Sequence, residues 1–124
     1  MLLVVTLFFS CATPIAPTGG PADKVGPKVE ETSPRTGTVN FDGREVSFEF
    51  SEFVNRSSFE KELIIEPDLS IDYEVKWRRK TATVEFKSDL PDSTTVIITV
   101  GGNTTDTRSN KIGAPIQLAV STGD

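Results

Sequence analysis

Four carboxylates, Glu49, Glu52, Glu60 and Glu62, stand close enough in the chain to raise the question of acid and base catalysis. Such chemistry needs two carboxyl groups facing one another across a cleft. Glu49 lies between Phe48 and Phe50 in an alternating stretch, so on a strand it points away from the face those rings share. The other three fall in an irregular stretch, and all four read as solvated surface. The chain has no histidine, which removes an imidazole base, a serine triad and a histidine metal site together. A nucleophile would have no visible base to activate it. The chain therefore reads as non-catalytic, with no cofactor site.

Asp106 and Asn110 offer oxygens that would suit a calcium ion, but the loop lacks the dense acidic spacing of such a site. An Asx turn that satisfies its own backbone is the simpler reading, and no metal site is assigned. Asn55-Arg56-Ser57 and Asn103-Thr104-Thr105 match a glycosylation pattern that occurs commonly by coincidence. Tyr73 and Trp77 are in phase with Val75, which places them in the core. An exposed aromatic on one sheet or beside a loop would instead mark a carbohydrate- or peptide-binding module. Arg78, Arg79 and Lys80 form the one basic run in a chain of net charge -5. That balance argues against a nucleic-acid partner and gives the bare domain no attraction to an anionic membrane.

Cys11 has no partner for a disulfide, so an exported domain of this size must rely on its apolar core. Residues 2–9 form an apolar run too short to cross a bilayer, where about 20 residues are needed, but suited to the h-region of a signal peptide. Residues 12–27 carry four prolines and three glycines with no apolar periodicity, which reads as a partly extended tether.

The elements that position these residues are strands. Residues 39–53 alternate across Asp42-Gly43, and a two-residue turn there would set Val39 opposite Val46 and Phe41 opposite Arg44, a type I′ hairpin. A short strand over 28–33, stopped at Pro34, precedes it. Residues 51–60 break the alternation and read as a crossover containing one helical turn rather than as a helix, and no helix longer than about two turns is expected. Further strands follow near 63–65, 71–77, 82–86, 94–100 and 116–120, separated by turn formers. Phe48, Phe50, Trp77, Val84, Ile98 and Leu118 are the expected core. Seven or eight short strands at nearly regular spacing predict an all-β Greek-key sandwich, with a barrel as the other architecture.

Several of these segments together resemble a bacterial Ig-like domain family found in surface-layer proteins and in Bacteroidetes-type envelope lipoproteins. They are Cys11 followed by Pro17-Thr18-Gly19-Gly20-Pro21 and Asp23, Ser33-Pro34 with Gly37, and Phe48-Glu49-Phe50-Ser51-Glu52-Phe53-Val54. Residues 63–67, Asp106 with Asn110, and Ala119-Val120-Ser121-Thr122-Gly123 complete the set. Phe9-Ser10-Cys11-Ala12 is similar to the cleavage site of bacterial lipoproteins, although Phe8 replaces the usual leucine and no basic residue follows Met1. The resemblance implies an Ig-like β-sandwich and an auxiliary module with no catalytic residues. The division expected is a signal peptide over 1–10, a flexible lipid-anchored tether over 11–27 and a sandwich over 28–124. The partners expected are the membrane, through acyl chains such as palmitate on Cys11, and an envelope protein or glycan. The expected location is the cell envelope at the outer membrane, facing the periplasm because residues 12–15 contain no acid, and the chain reads as the N-terminal part of a longer protein.

Overall fold

Alternating apolar residues can be buried only if the faces they form meet another face. In the computed structural model, which describes residues 25–124, two antiparallel sheets meet in this way. The expected signal peptide, Cys11 and most of the expected tether lie outside the described residues. The elements are β1 (Val29–Ser33), β2 (Glu45–Phe50), α1 (Arg56–Glu62), β3 (Leu63–Glu66), β4 (Tyr73–Arg78), β5 (Thr81–Phe86), β6 (Thr95–Val100) and β7 (Ile116–Ser121). One sheet has the order β1-β2-β5-β4 and the other β3-β6-β7. This is the four-plus-three order of a constant-type immunoglobulin sandwich, so the expected all-β architecture is met, with seven strands among the described residues and no closed barrel.

The core is formed by alternate residues of both sheets. Val46, Phe48 and Phe50 of β2, Val84 and Phe86 of β5, Val96, Ile98 and Val100 of β6, and Leu118 and Val120 of β7 are all buried. Five of the six core residues expected from the sequence are among them. Trp77 is the exception: it packs against the core but remains partly exposed, because β4 is an edge strand bonded only to β5. Tyr73, expected inside for the same periodicity, is 41% exposed.

The connection between the sheets is a helix of seven residues, longer than the single turn expected. Asn55 caps it, with Oδ1 accepting from the Ser58 backbone N–H at 3.0 Å, which satisfies one of the donors that every helix start leaves open. The same Asn55 had matched a glycosylation pattern. The helix exists to place Phe59, which is fully buried. Its ring meets Phe48 at 6.1 Å, Phe50 at 6.0 Å and Trp77 at 5.1 Å between centroids, all edge to face. Ala82 stands between Phe48 and Trp77 in the sheet register, so the sheet is shallow where Phe59 meets the two flanking rings.

The expected hairpin at Asp42-Gly43 does not form. Val39 is 53% exposed, and residues 37–41 run beside β7 in the other sheet. Gly37 and Phe41 donate their N–H groups to the carbonyls of Ala119 (2.7 Å) and Ser121 (2.9 Å), and Thr38 bridges Val120 in parallel. The left-handed positions are Gly37 (φ 87°) and Asn40 (φ 54°), not Gly43. The local alternation was compatible with a hairpin, but β2 finds its partners in β1 and β5, while 37–41 covers an edge of β7 that would otherwise be open.

Phe59→Ala should lower stability by about 3 to 5 kcal/mol, and by more than Trp77→Ala, whose ring is only partly buried. Urea denaturation of the two variants measures both. Equal midpoints for Phe59→Ala and the parent would refute the assignment of Phe59 to the core.

Candidate binding surfaces

The carboxylates singled out in the sequence have separate local roles. Glu49 is exposed on the outer face of β2. Glu60 Oε2 accepts from Trp77 Nε1 at 3.4 Å, and Glu62 Oε1 accepts from the Asn103 N–H at 3.1 Å. Glu52 reaches Asp106 by a side-chain hydrogen bond. This pair escaped the sequence, because its members are joined only when Val54 and Asp106 form an antiparallel bridge.

Asp106 is buried at the foot of the β6–β7 loop. Its Oδ1 accepts from the N–H groups of Arg108 (2.8 Å) and Asn110 (2.9 Å), and Oδ2 accepts from Asn110 Nδ2 (3.0 Å). Burial pushes its carboxyl up, but the Asn110 and Arg108 donors and the Glu52 carboxyl outweigh burial and hold the pKa below the ordinary aspartate value. With its oxygens already taken by the loop, Asp106 works as an Asx-type lock, as the spacing suggested, and among the described residues no acidic group is arranged to hold a metal ion.

Two aromatic side chains are exposed beside loops. Tyr73 opens onto a recess of about 410 Å³ under the β3–β4 loop, where Leu69 and Ile71 offer apolar surface and Asp68 and Asp72 polar groups. Phe53, 48% exposed, lies at the other end of the molecule with Lys80 Nζ 5.9 Å from its ring centroid. The Trp77 indole is occupied within the protein, by Arg56 at 5.5 Å over its ring and by Glu60.

The two outer faces differ in chemistry. On the four-stranded sheet, Lys87 Nζ lies 2.8 Å from Glu74, and Lys76 Nζ 3.1 Å from Glu85. These ammonium groups hold Glu74 and Glu85 below the ordinary carboxylate range, while Glu85 raises Lys76. On the three-stranded sheet the outward row is Ile64, Thr99 and Gln117, with Ile97 and Ala119 beside it.

The family model for the bacterial Ig-like domain matches residues 23–122. No curated protein matches the chain. Among solved structures, it is similar to an L,D-transpeptidase from Mycobacterium smegmatis, at 23% identity and a TM-score of 0.57, over 78% of this chain and 40% of that one. It is also similar to the N-terminal part of the bacterial S-layer protein SbsC, at 19% identity and a TM-score of 0.54, over 80% of this chain and 24% of that one. The chain thus spans less than half the length of either structure, and the likeness is one of fold.

The Asp106 lock has a pH signature. Its folded pKa is lowered, so its contribution to stability is present above the ordinary aspartate pKa and is lost as pH falls through the folded value. Asp106→Asn should destabilise by roughly 2 to 3 kcal/mol at neutral pH, where hydrogen bonds to a charged acceptor are lost. The gap between variant and parent should narrow below about pH 4. Urea titrations at pH 7 and pH 3 measure it, and a gap that stays constant would refute an ionised Asp106.

Proposed function

Because this chain belongs to the bacterial Ig-like domain family, we propose that it is a non-catalytic structural or interaction module of the bacterial cell envelope, held to the membrane by lipid on Cys11. One observation carries the structural part of this reading: the chain enters the sandwich at one end and runs out at the other. A side chain on Gly26 would collide with the Lys111 carbonyl oxygen, so the entry lies against the β6–β7 loop. Gly123 lies at the far end, where its carbonyl accepts from the Asn40 N–H at 2.8 Å. Strands of six residues put about 20 Å between these ends. A module of that shape holds whatever is joined to its two ends apart, and it needs no chemistry to do so.

The anchor rests on the apolar run over 2–9, on Cys11 at its end and on the Pro/Gly-rich residues 12–27. One acyl chain gives only marginal attachment, whereas two or three make it lasting, since each buried methylene adds about 0.8 kcal/mol. The resemblance to envelope lipoproteins of the Bacteroidetes type favours the outer membrane, and the absence of an acid in 12–15 favours the periplasmic face. The S-layer neighbour supports an envelope setting by analogy of fold.

The Tyr73 recess favours a second reading, in which the module binds a carbohydrate or an extended peptide. An exposed ring beside apolar Leu69 and Ile71, with Asp68 and Asp72 to orient hydroxyl or amide groups, has the composition such ligands require. In NMR titrations with soluble oligosaccharides and peptides, shifts should centre on Tyr73 and vanish in Tyr73→Ala. Shifts spread over the whole surface would remove this reading.

Mass spectrometry of the mature protein from its native host should find Cys11 as the N-terminus, carrying acyl chains. Cys11→Ser should move the protein from the detergent phase to the aqueous phase. An intact Met1 with an unmodified Cys11 would overturn the anchor.

A further inference from the structure

The net charge of -5 conceals an uneven distribution. At the entry end, the backbones of Lys28 and Lys80 flank the end of β2: the Ser51 N–H donates to the Lys28 carbonyl (2.8 Å) and the Phe50 N–H to the Lys80 carbonyl (2.9 Å). Two strand spacings separate these positions, about 10 Å. Arg79 is exposed in the adjoining β4–β5 turn, and Lys111 is exposed beside Gly26. Phe53 is exposed beside Lys80. Acids stand here too, with Glu30 and Glu49 exposed, Glu49 in a recess it shares with Arg78, Arg79 and Lys80, and Glu52 bonded to the buried Asp106. The cations Lys28, Arg78, Arg79, Lys80 and Lys111 outnumber them. The opposite end carries Asp42, Asp68, Asp72, Asp92 and Asp124, together with Asp89, which is tied to Arg44 at 2.8 Å.

We propose that the basic entry end docks on the anionic phospholipid headgroups of the membrane that holds the chain, with Phe53 entering the interface and the Tyr73 recess turned away from it. The proposal rests on the lipid anchor proposed above and adds an orientation to it. Charge complementarity and the direction from which the chain arrives point to the same surface.

Net charge governs the attraction of a distant molecule, but not of one already held at the surface. Electrostatic fields fall off over about 8 Å at physiological ionic strength, whereas the acidic end lies a full strand length away, about 20 Å. The near end therefore sets the interaction. Attachment through Cys11 makes docking intramolecular, at an effective concentration on the order of millimolar for a short linker. Each cation at an anionic surface then favours the docked state by about fivefold, and a patch of four suffices where a free domain would bind only weakly. The single cysteine of the chain permits a direct test.

The mature chain from Cys11 onward would be coupled through that thiol to maleimide-bearing vesicles of phosphatidylcholine, with or without one-third phosphatidylglycerol. A gadolinium headgroup lipid then reports proximity through the relaxation of backbone amides. On the anionic vesicles, the amides of Lys28, Phe53 and Lys80 should relax much faster than those of Asp42 and Asp89. The difference should shrink in high salt and on pure phosphatidylcholine to the smaller value that attachment at the entry end imposes by itself. In a Lys28→Gln, Arg79→Gln, Lys80→Gln variant of unchanged melting temperature, the docked-to-free ratio should fall by roughly 100-fold. Equal relaxation at the two ends on anionic vesicles would overturn the proposal, as would a difference of the same size without phosphatidylglycerol. So would undiminished docking of the variant, or a domain drawn off the vesicles by a soluble acidic polysaccharide at the same ionic strength. Because the coupling is chemical, none of these results bears on whether the cell attaches lipid to Cys11, which the mass spectrum answers separately.

Discussion

The contact on which the sandwich depends is that of Phe59 with the rings around it. Phe48, Phe50 and Trp77 each meet Phe59 edge to face, an arrangement that adds a favourable quadrupole term to the burial of apolar surface. These rings come from β2 and β4 of one sheet, while Phe59 lies in the segment that crosses to the other. The residue that connects the sheets therefore also fills the space between them at that end. No disulfide is available to take over this work, so the core must do it by packing, and a side chain at a crossover is in a position to contact both layers.

The same end of the molecule gathers several other constraints. Asn55 caps the short helix, and Ser58 Oγ then accepts from the Thr105 N–H at 3.0 Å, tying the helix to the β6–β7 loop. Asp106 holds that loop closed through its own backbone donors. These contacts fix the loops that carry Phe53 and Lys111, and the turn that carries Lys80 is held by the Phe50 N–H, which donates to the Lys80 carbonyl. A charged patch on mobile loops would lose much of its attraction to the entropy of ordering, whereas here the backbone beneath the cations is held by hydrogen bonds.

In this light the proposed roles are different uses of one geometry. The sandwich separates its two ends by a strand length, and the ends differ in charge and in exposed aromatic surface. An envelope module that is oriented as well as attached would present the Tyr73 recess and the exit of the chain on the side facing away from the membrane. Neither role asks for a nucleophile or an acid–base pair, in keeping with a fold whose bacterial Ig-like family is generally non-catalytic.

How much of this was legible in the sequence follows from the range of each interaction. The alternation of Phe48 and Phe50, of Val84 and Phe86 and of Val96 and Ile98 is local, and it determined the strands, their inward faces and the class of fold. The Asx lock of Asp106 was also legible, because the loop donors it accepts from lie within four residues, whereas its bond to Glu52 was not. The absence of histidine excluded whole classes of chemistry without any structure. Periodicity, however, states which side a residue faces and not whether that side is covered. Tyr73 and Trp77 share the phase of Val75, yet β4 is an edge strand, so their rings stand at the rim of the core. Likewise Val39 and Phe41 had a plausible local partner across Asp42-Gly43, and only the presence of β7 some 80 residues later drew them away. The gathering of Lys28, Lys80 and Lys111 at one end is a property of strand direction and loop position. Residues so far apart in the chain become neighbours only when the sheets have formed, and no local pattern records that.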